Sequence, residues 1–251
     1  MHLPILSDLN PQQKAAVIYN KGPLLVLAGA GSGKTKVLTH RVAYFFDKGL
    51  VKSEICLLMT FTNKDSGDMK VRIIKLINQA PGFAGTFHSL CARVLRIDGK
   101  VIGIPPGFLI YDEQDQKSLV KEIIENLSYS TDSYNPAGVL SAISDAKNQM
   151  LSPTQYSEFV NGEFQQVVFK VYLEYEKRLR EIGALDFDDL LIKAVLLLKG
   201  NPEVMTSSAD LSPRFPRLNE DDISAFNSSP DSKSGVFLNA VIKKWQDKFT
   251  H

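Results

Sequence analysis

Ala28-Gly29-Ala30-Gly31-Ser32-Gly33-Lys34-Thr35 is the segment of this chain with the most evident chemistry. It fits the Walker A pattern, with Ala28 where the first glycine usually stands. Glycines let backbone N–H groups curl round phosphate oxygens without side-chain clashes. A helix beginning at the end of such a turn adds the partial positive charge of its N-terminus. Lys34 can reach the β- and γ-phosphates, and the Thr35 hydroxyl can ligate Mg²⁺. The eight residues therefore predict a site for a nucleoside triphosphate with Mg²⁺.

Such a loop needs a strand before it and a helix after it. Leu24-Leu25-Val26-Leu27 reads as a short buried strand entering the glycine turn. Val37, Leu38, Arg41, Val42, Tyr44, Phe45 and Phe46 follow at helical spacing. Ile55–Phe61 reads as a second buried strand, with a helical segment near Met69–Ile77. Strand, helix, strand and helix in that order predict a parallel sheet and an α/β fold.

From Asp112 to about Leu198 helical periods take over, through Leu119, Ile123, Ile124 and Leu127, then Val139, Leu140 and Ile143, then Phe164–Ile182. After Gly200 the composition shifts again. Residues 200–235 carry eight Ser and four Pro, which reads as a loosely ordered linker. Phe237, Val241, Trp245 and Phe249 then lie on one face of a possible short helix. The expected divisions are 1–110 for the nucleotide-binding core, 111–184 for a helical insertion, 185–199 for a return to the core and 200–251 for a divergent tail.

The net charge of +1 conceals an asymmetry. Residues 1–110 hold fourteen Lys/Arg and six Asp/Glu, or +8; residues 111–251 hold fifteen and twenty-two, or −7. A basic half suits a polyanion. No apolar run approaches the roughly 20 residues of a membrane span, and the first residues do not read as a signal peptide. The two cysteines, Cys56 and Cys91, lie in no metal-binding or disulfide pattern. The expected setting is a reducing cytoplasm, with no membrane partner.

Other residues allow two readings each. Gln13 lies upstream of the loop, where its amide can donate to and accept from an adenine edge, or it simply opens a surface helix. Phe61 closes a parallel strand, where open α/β sheets place ligands; it stacks a base or fills the core. Thr62 and Asn63 can bond phosphate or sugar. Thr86, Phe87 and His88 follow Gly85 and offer a second strand-end contact. Phe108-Leu109-Ile110-Tyr111-Asp112-Glu113 imitates an apolar strand ending in a magnesium-binding acid pair. Asp186, Asp188 and Asp189 read as helix-capping and orienting groups.

Taken in order, Leu9–Val17, Ala28–Arg41, Thr60–Lys64, Gly85–Arg93 and Leu185–Leu191 resemble the motifs of UvrD/Rep/PcrA-type superfamily 1A DNA helicases. The resemblance covers about residues 9–198. It implies a P-loop NTPase (RecA-like) parallel sheet with a mostly helical inserted subdomain. It also implies an ATP-dependent, 3′–5′ DNA helicase acting in DNA repair or related processes. By the same resemblance Gln13 and residues Ala28, Gly29, Ala30, Gly31, Ser32, Gly33, Lys34, Thr35 and Lys36 bind ATP. Thr35 holds the metal, and Lys34 and Thr35 serve catalysis. Phe61, Thr62, Asn63, Thr86, Phe87 and His88 contact single-stranded or partial-duplex DNA. The family pattern also moves the acid pair away from Asp112 and Glu113, to a point after the Asp186–Leu191 motif.

Two departures bear on function. Asp65, Ser66, Gly67 and Asp68 follow Lys64 where the family usually has two alanines and later a glutamate, which predicts a weakened DNA grip. After Val204 the family continues into a strand and an Asp-Glu motif, which residues 205–251 do not contain. A truncation, a frameshifted tail and a divergent end all suit that composition. The expectation is the front half of a motor, with little or no turnover unless a C-terminal motor half is supplied. The alternatives are a non-catalytic module binding ATP and single-stranded DNA, or another P-loop enzyme such as a small-molecule kinase.

Overall fold

The computed structural model describes residues 5–22, 24–201 and 204. Residues up to Phe87 pack as one compact unit and His88–Asn201 as a second. This division falls ahead of the 110/111 boundary read from composition. It keeps Leu185–Asn201 with the helical part of the chain.

In the first unit, helix α1 (Pro11–Ile18) starts on a capping box. Asn10 accepts from the Gln13 amide, and Gln13 returns a bond to the Asn10 amide. Helix α2 (Lys34–Asp47) follows Gly33, which is left-handed at φ 87° and offers no side-chain cap. Strand β1 (Leu57–Thr60) pairs in parallel with β2 (Phe83–Thr86), Leu57 opposite Phe83 and Thr60 opposite Thr86. The connecting helix α3 (Asn63–Ile77) is capped by Thr62. Val42, Ala43 and Phe46 of α2 meet Leu58 of β1 and Met69, Ile73 and Ile77 of α3 in one buried cluster. A close backbone approach fixes the entry to β2: Gly82 donates to Ser53 O at 2.7 Å, and a Cβ there would lie 2.0 Å from Glu54 O.

One expectation is corrected. Leu24–Leu27 is neither buried nor a strand. Exposure along the run alternates 40%, 83%, 43% and 87%. Its side chains keep a two-residue period, but no ladder runs alongside among the described residues. A buried parallel strand draws its pairing and its cover from neighbours. Local apolarity alone supplies neither.

The second unit is built on helices α4 (Phe87–Asp98), α5 (Glu113–Asn126), α6 (Pro136–Asn148), α7 (Pro153–Tyr156), α8 (Glu163–Ile182) and α9 (Phe187–Gly200). Apolar stripes from α5, α6 and α8 interlock: Val120, Ile123, Ile124, Val139, Val168, Val171 and Tyr175 are essentially inaccessible to water. Strands β3 (Leu109–Tyr111) and β4 (Ala184–Asp186) pair in parallel, Tyr111 opposite Asp186. Each strand leads straight into a helix through an aspartate cap, Asp112 into α5 and Asp186 into α9. The fold is therefore a mixture of helices and parallel strands, α/β in class. Burial pushes the Cys56 thiol up to about 11 and the Cys91 thiol up to about 12, and both are free thiols. Among the described residues no helix is long and apolar enough to cross a membrane.

Candidate nucleotide and nucleic-acid sites

The phosphate loop lies in the first unit and is exposed along most of its length. Gly31 and Gly33 take positive φ, 74° and 87°. Cβ atoms at Gly29 and Gly31 would meet nothing within 4 Å. The loop thus presents open backbone to one side. The first amides of α2 have no partner within the helix and no side-chain cap. Donor-rich, cation-flanked backbone of this kind suits phosphate oxygens. The fit to a nucleoside triphosphate is good on that ground.

Three side chains brace the loop. Lys34 Nζ donates to Ala28 O at 2.9 Å and to Gly29 O at 2.7 Å. Ser32 Oγ donates to the same Gly29 carbonyl at 2.7 Å. Gln13 Nε2 donates to Ser32 O at 3.0 Å. Lys36 turns away, and its ammonium donates to Asp8 O at 2.5 Å. Thr35 is exposed on the first turn of α2, and its carbonyl accepts from Thr39 Oγ1 at 3.0 Å. Below the loop, Arg41 Nη1 donates to Ala16 O at 2.7 Å and its guanidinium lies 4.4 Å from the Phe45 ring centre. Burial lowers the Arg41 pKa from its usual value.

Phe61 sits just beyond β1 and is 80% exposed. It takes no part in the core. Its neighbour Thr62 is committed to α3: Oγ1 accepts from the Asp65 amide at 3.0 Å and donates to Asp65 Oδ2 at 2.7 Å. Asn63 is the first residue of α3, and its carbonyl accepts from Ser66 Oγ at 2.7 Å. Thr86 ends β2 and Phe87 begins α4; both are half-buried.

His88 belongs to the second unit. Its ring stands edge-on to Phe187, centroids 5.6 Å apart at 77°. Phe187 is 42% exposed. It lies inside the Leu185–Leu191 motif, but its pairing with His88, 99 residues earlier in the chain, cannot be read from spacing.

Neighbouring carboxylates do structural work. Asp186 accepts from the Asp189 amide at 2.8 Å, the expected cap of α9. Asp112 accepts from the amides of Gln114 and Asp115 at 2.8 and 2.9 Å, so the imitation acid pair opens with a cap as well. A buried ion cluster in the second unit has no signature in the sequence. Lys147 of α6 is 2% exposed. Its Nζ donates to Asp186 Oδ2 at 2.7 Å and stands 2.6 Å from Glu176 Oε1 and 3.1 Å from Asp189 Oδ1. Tyr175 Oη adds a bond to Asp186 Oδ2 at 3.0 Å. Burial pushes the Asp189 carboxyl up to about 7, against the opposing pull of Lys147.

Parallel strands, the helices around them and a glycine-rich loop at the start of α2 are consistent with an α/β helicase N-terminal domain. The UvrD/REP helicase N-terminal domain family matches residues 9–211, and the chain belongs to it. It is 42% identical over 205 residues to the ATP-dependent DNA helicase PcrA of Bacillus subtilis (strain 168), covering 80% of this chain and 28% of that protein. It is 40% identical over 203 residues to PcrA of Staphylococcus aureus (strain Mu50 / ATCC 700699), and 39% identical over 204 residues to PcrA of Leuconostoc citreum. The chain spans a little over a quarter of the length of these relatives.

Proposed function

We propose that the chain is the ATP- and single-stranded-DNA-binding front portion of a DNA helicase of the UvrD/Rep/PcrA type, with 3′–5′ polarity and a RecA-like core. The supporting observation is the open phosphate loop at the uncapped start of α2. In this reading the backbone of residues 28–33, with Lys34, holds the phosphates, Thr35 ligates Mg²⁺ and Gln13 approaches the base. Bound Mg²⁺ would neutralise phosphate charge. Phe61 stacks a nucleobase, while Thr62, Asn63, Thr86, Phe87 and His88 meet the rest of the strand. Residues 1–110 and 185–199 serve as the motor core and 111–184 as its insertion.

A motor alternates grip between two domains that close around ATP. This reading needs a second motor half and, for hydrolysis, the acid pair that the family carries after the Asp186–Leu191 motif. A non-catalytic ATP- and DNA-binding module is the second reading. It is favoured by Asp112 and Asp186, which are both engaged as helix caps. DNA repair in the cytoplasm is the setting carried by the family resemblance.

The test is nucleotide binding and hydrolysis by the purified chain, with and without single-stranded DNA, using Lys34→Ala as blank. ATP binding above the blank, with hydrolysis at the blank, supports the front-half reading. Nucleotide binding by wild type equal to that of a folded Lys34→Ala variant refutes the site.

A further inference from the structure

Helix α6 holds the residues on both sides of Phe187. Lys147 binds Asp186, the residue before it, at 2.7 Å. Ser144 Oγ donates to Asp188 Oδ2, the residue after it, at 2.6 Å. Ser144 and Lys147 lie three apart and so share one face of α6. The Lys147 ammonium carries three donors, and three carboxylates surround it: Asp186 at the cap of α9, Asp189 in its first turn, and Glu176 of α8. Glu176 Oε1 is buried and receives no hydrogen bond, so the ionic contact at 2.6 Å is what steadies it. Removing the lysine would strand buried carboxylates, a costly change.

Cost alone is a structural matter; the direction of the clamp is more specific. With Asp186 and Asp188 both tied to α6, the backbone that carries Phe187 has little freedom. Phe187 in turn sets its ring edge against His88. We infer that Lys147 and Ser144 are positioning residues for nucleic-acid binding, holding Phe187 so that it fixes the ring of His88. This rests on the reading above that His88 meets DNA.

The experiment measures two quantities on the full chain. One is the NMR shift of the His88 ring protons, assigned with His88→Gln, which reports the ring current of Phe187. The other is affinity for a fluorescent oligo-dT. Phe187→Ala gives the shift expected when the contact is gone. Ser144→Ala removes one tie mildly, and Lys147→Met with Glu176→Gln and Asp189→Asn removes the other while leaving Asp186 as the cluster's one buried carboxylate, still bonded by Tyr175 Oη and the residue 189 amide.

Both sets of changes are expected to move His88 toward its position in Phe187→Ala. Each is expected to weaken oligo-dT binding about threefold to tenfold, the scale of one lost polar contact. Adding Phe187→Ala to either should bring no further loss, because the effects share one route. An unmoved His88 resonance, or losses that simply add, overturns the inference. If wild type does not bind oligo-dT, the DNA reading fails and takes the functional half of the inference with it, while the His88 shift still decides the clamp.

Discussion

Gln13 Nε2 donates to the Ser32 carbonyl at 3.0 Å, joining the first turn of α1 to the phosphate loop 19 residues later. The same side chain accepts from the Asn10 amide through Oε1 at 3.1 Å. One end of the amide is thus committed to the loop and the other to the cap of α1. Gly33 is packed beneath it: a Cβ there would lie 2.9 Å from Gln13 Nε2. The residue proposed to meet adenine therefore also braces the glycine-rich loop.

The brace predicts how Gln13→Ala will behave. A pure adenine contact would lose ATP affinity and leave GTP alone. A brace lowers both. The expectation is a fall of about tenfold for ATP and about threefold for GTP, at roughly 1 kcal/mol per hydrogen bond. Titrating both nucleotides against the variant by calorimetry decides it. GTP affinity unchanged from wild type would remove the brace.

Phe61 offers a cleaner separation of binding from folding. Because it is 80% exposed, Phe61→Ala should change the unfolding free energy by no more than about 0.5 kcal/mol. Stacking on a nucleobase is worth about 1–3 kcal/mol per base. Oligo-dT affinity should fall by at least fivefold while the denaturation midpoint stays in place. A large loss of stability would return Phe61 to the core.

These contrasts follow how far each feature depends on distant residues. The start of α2 was legible because Gly33 and Lys34 carry their own instructions: a left-handed glycine, then a helix. The Asp186 cap was legible for the same reason, since its partner Asp189 is three residues away. Leu24–Leu27 was misjudged because a strand exists only beside another strand. Lys147 stayed hidden because Glu176, Asp186 and Asp189 stand 29, 39 and 42 residues along the chain, and only the packing of α6 on α8 and α9 brings them together. The His88–Phe187 pair was hidden on the same principle.

Asp189 predicts a pH dependence of stability. Its carboxyl is pushed up to about 7, burial being the largest cause, with Asp186 and Glu176 raising it further and Lys147 and Lys193 opposing. In the unfolded chain an aspartate titrates near 3.9. The folded state therefore holds a proton that the unfolded state releases. Its stabilising share is complete below about pH 4 and is lost as pH rises toward 7. Exposed carboxylates held low, such as Glu174 beside Lys177, act in the opposite sense. The difference between wild type and Asp189→Asn isolates the group. Urea midpoints from pH 4 to 8 should fall more steeply for wild type than for the variant, and parallel curves would count against the assignment.

Asp65 supplies a prediction in which binding and stability move in opposite directions. It stands where the helicase family usually has alanine, at the exposed start of α3. Its carboxylate captures the Thr62 hydroxyl at 2.7 Å, so that hydroxyl is turned toward protein. An acid at a helix N-terminus also stabilises the helix by about 0.3–1 kcal/mol. Asp65→Ala should therefore lower stability by that amount. It should also release Thr62 and remove a charge that repels phosphate, raising oligo-dT affinity severalfold at low salt. Screening shortens the reach of a surface charge to about 8 Å at physiological ionic strength, so the gain should shrink as salt is added. Fluorescence anisotropy at two salt concentrations, alongside a urea curve, measures both arms. Weaker DNA binding by the alanine variant would show that Asp65 orders the DNA-facing turn more than it opposes the strand.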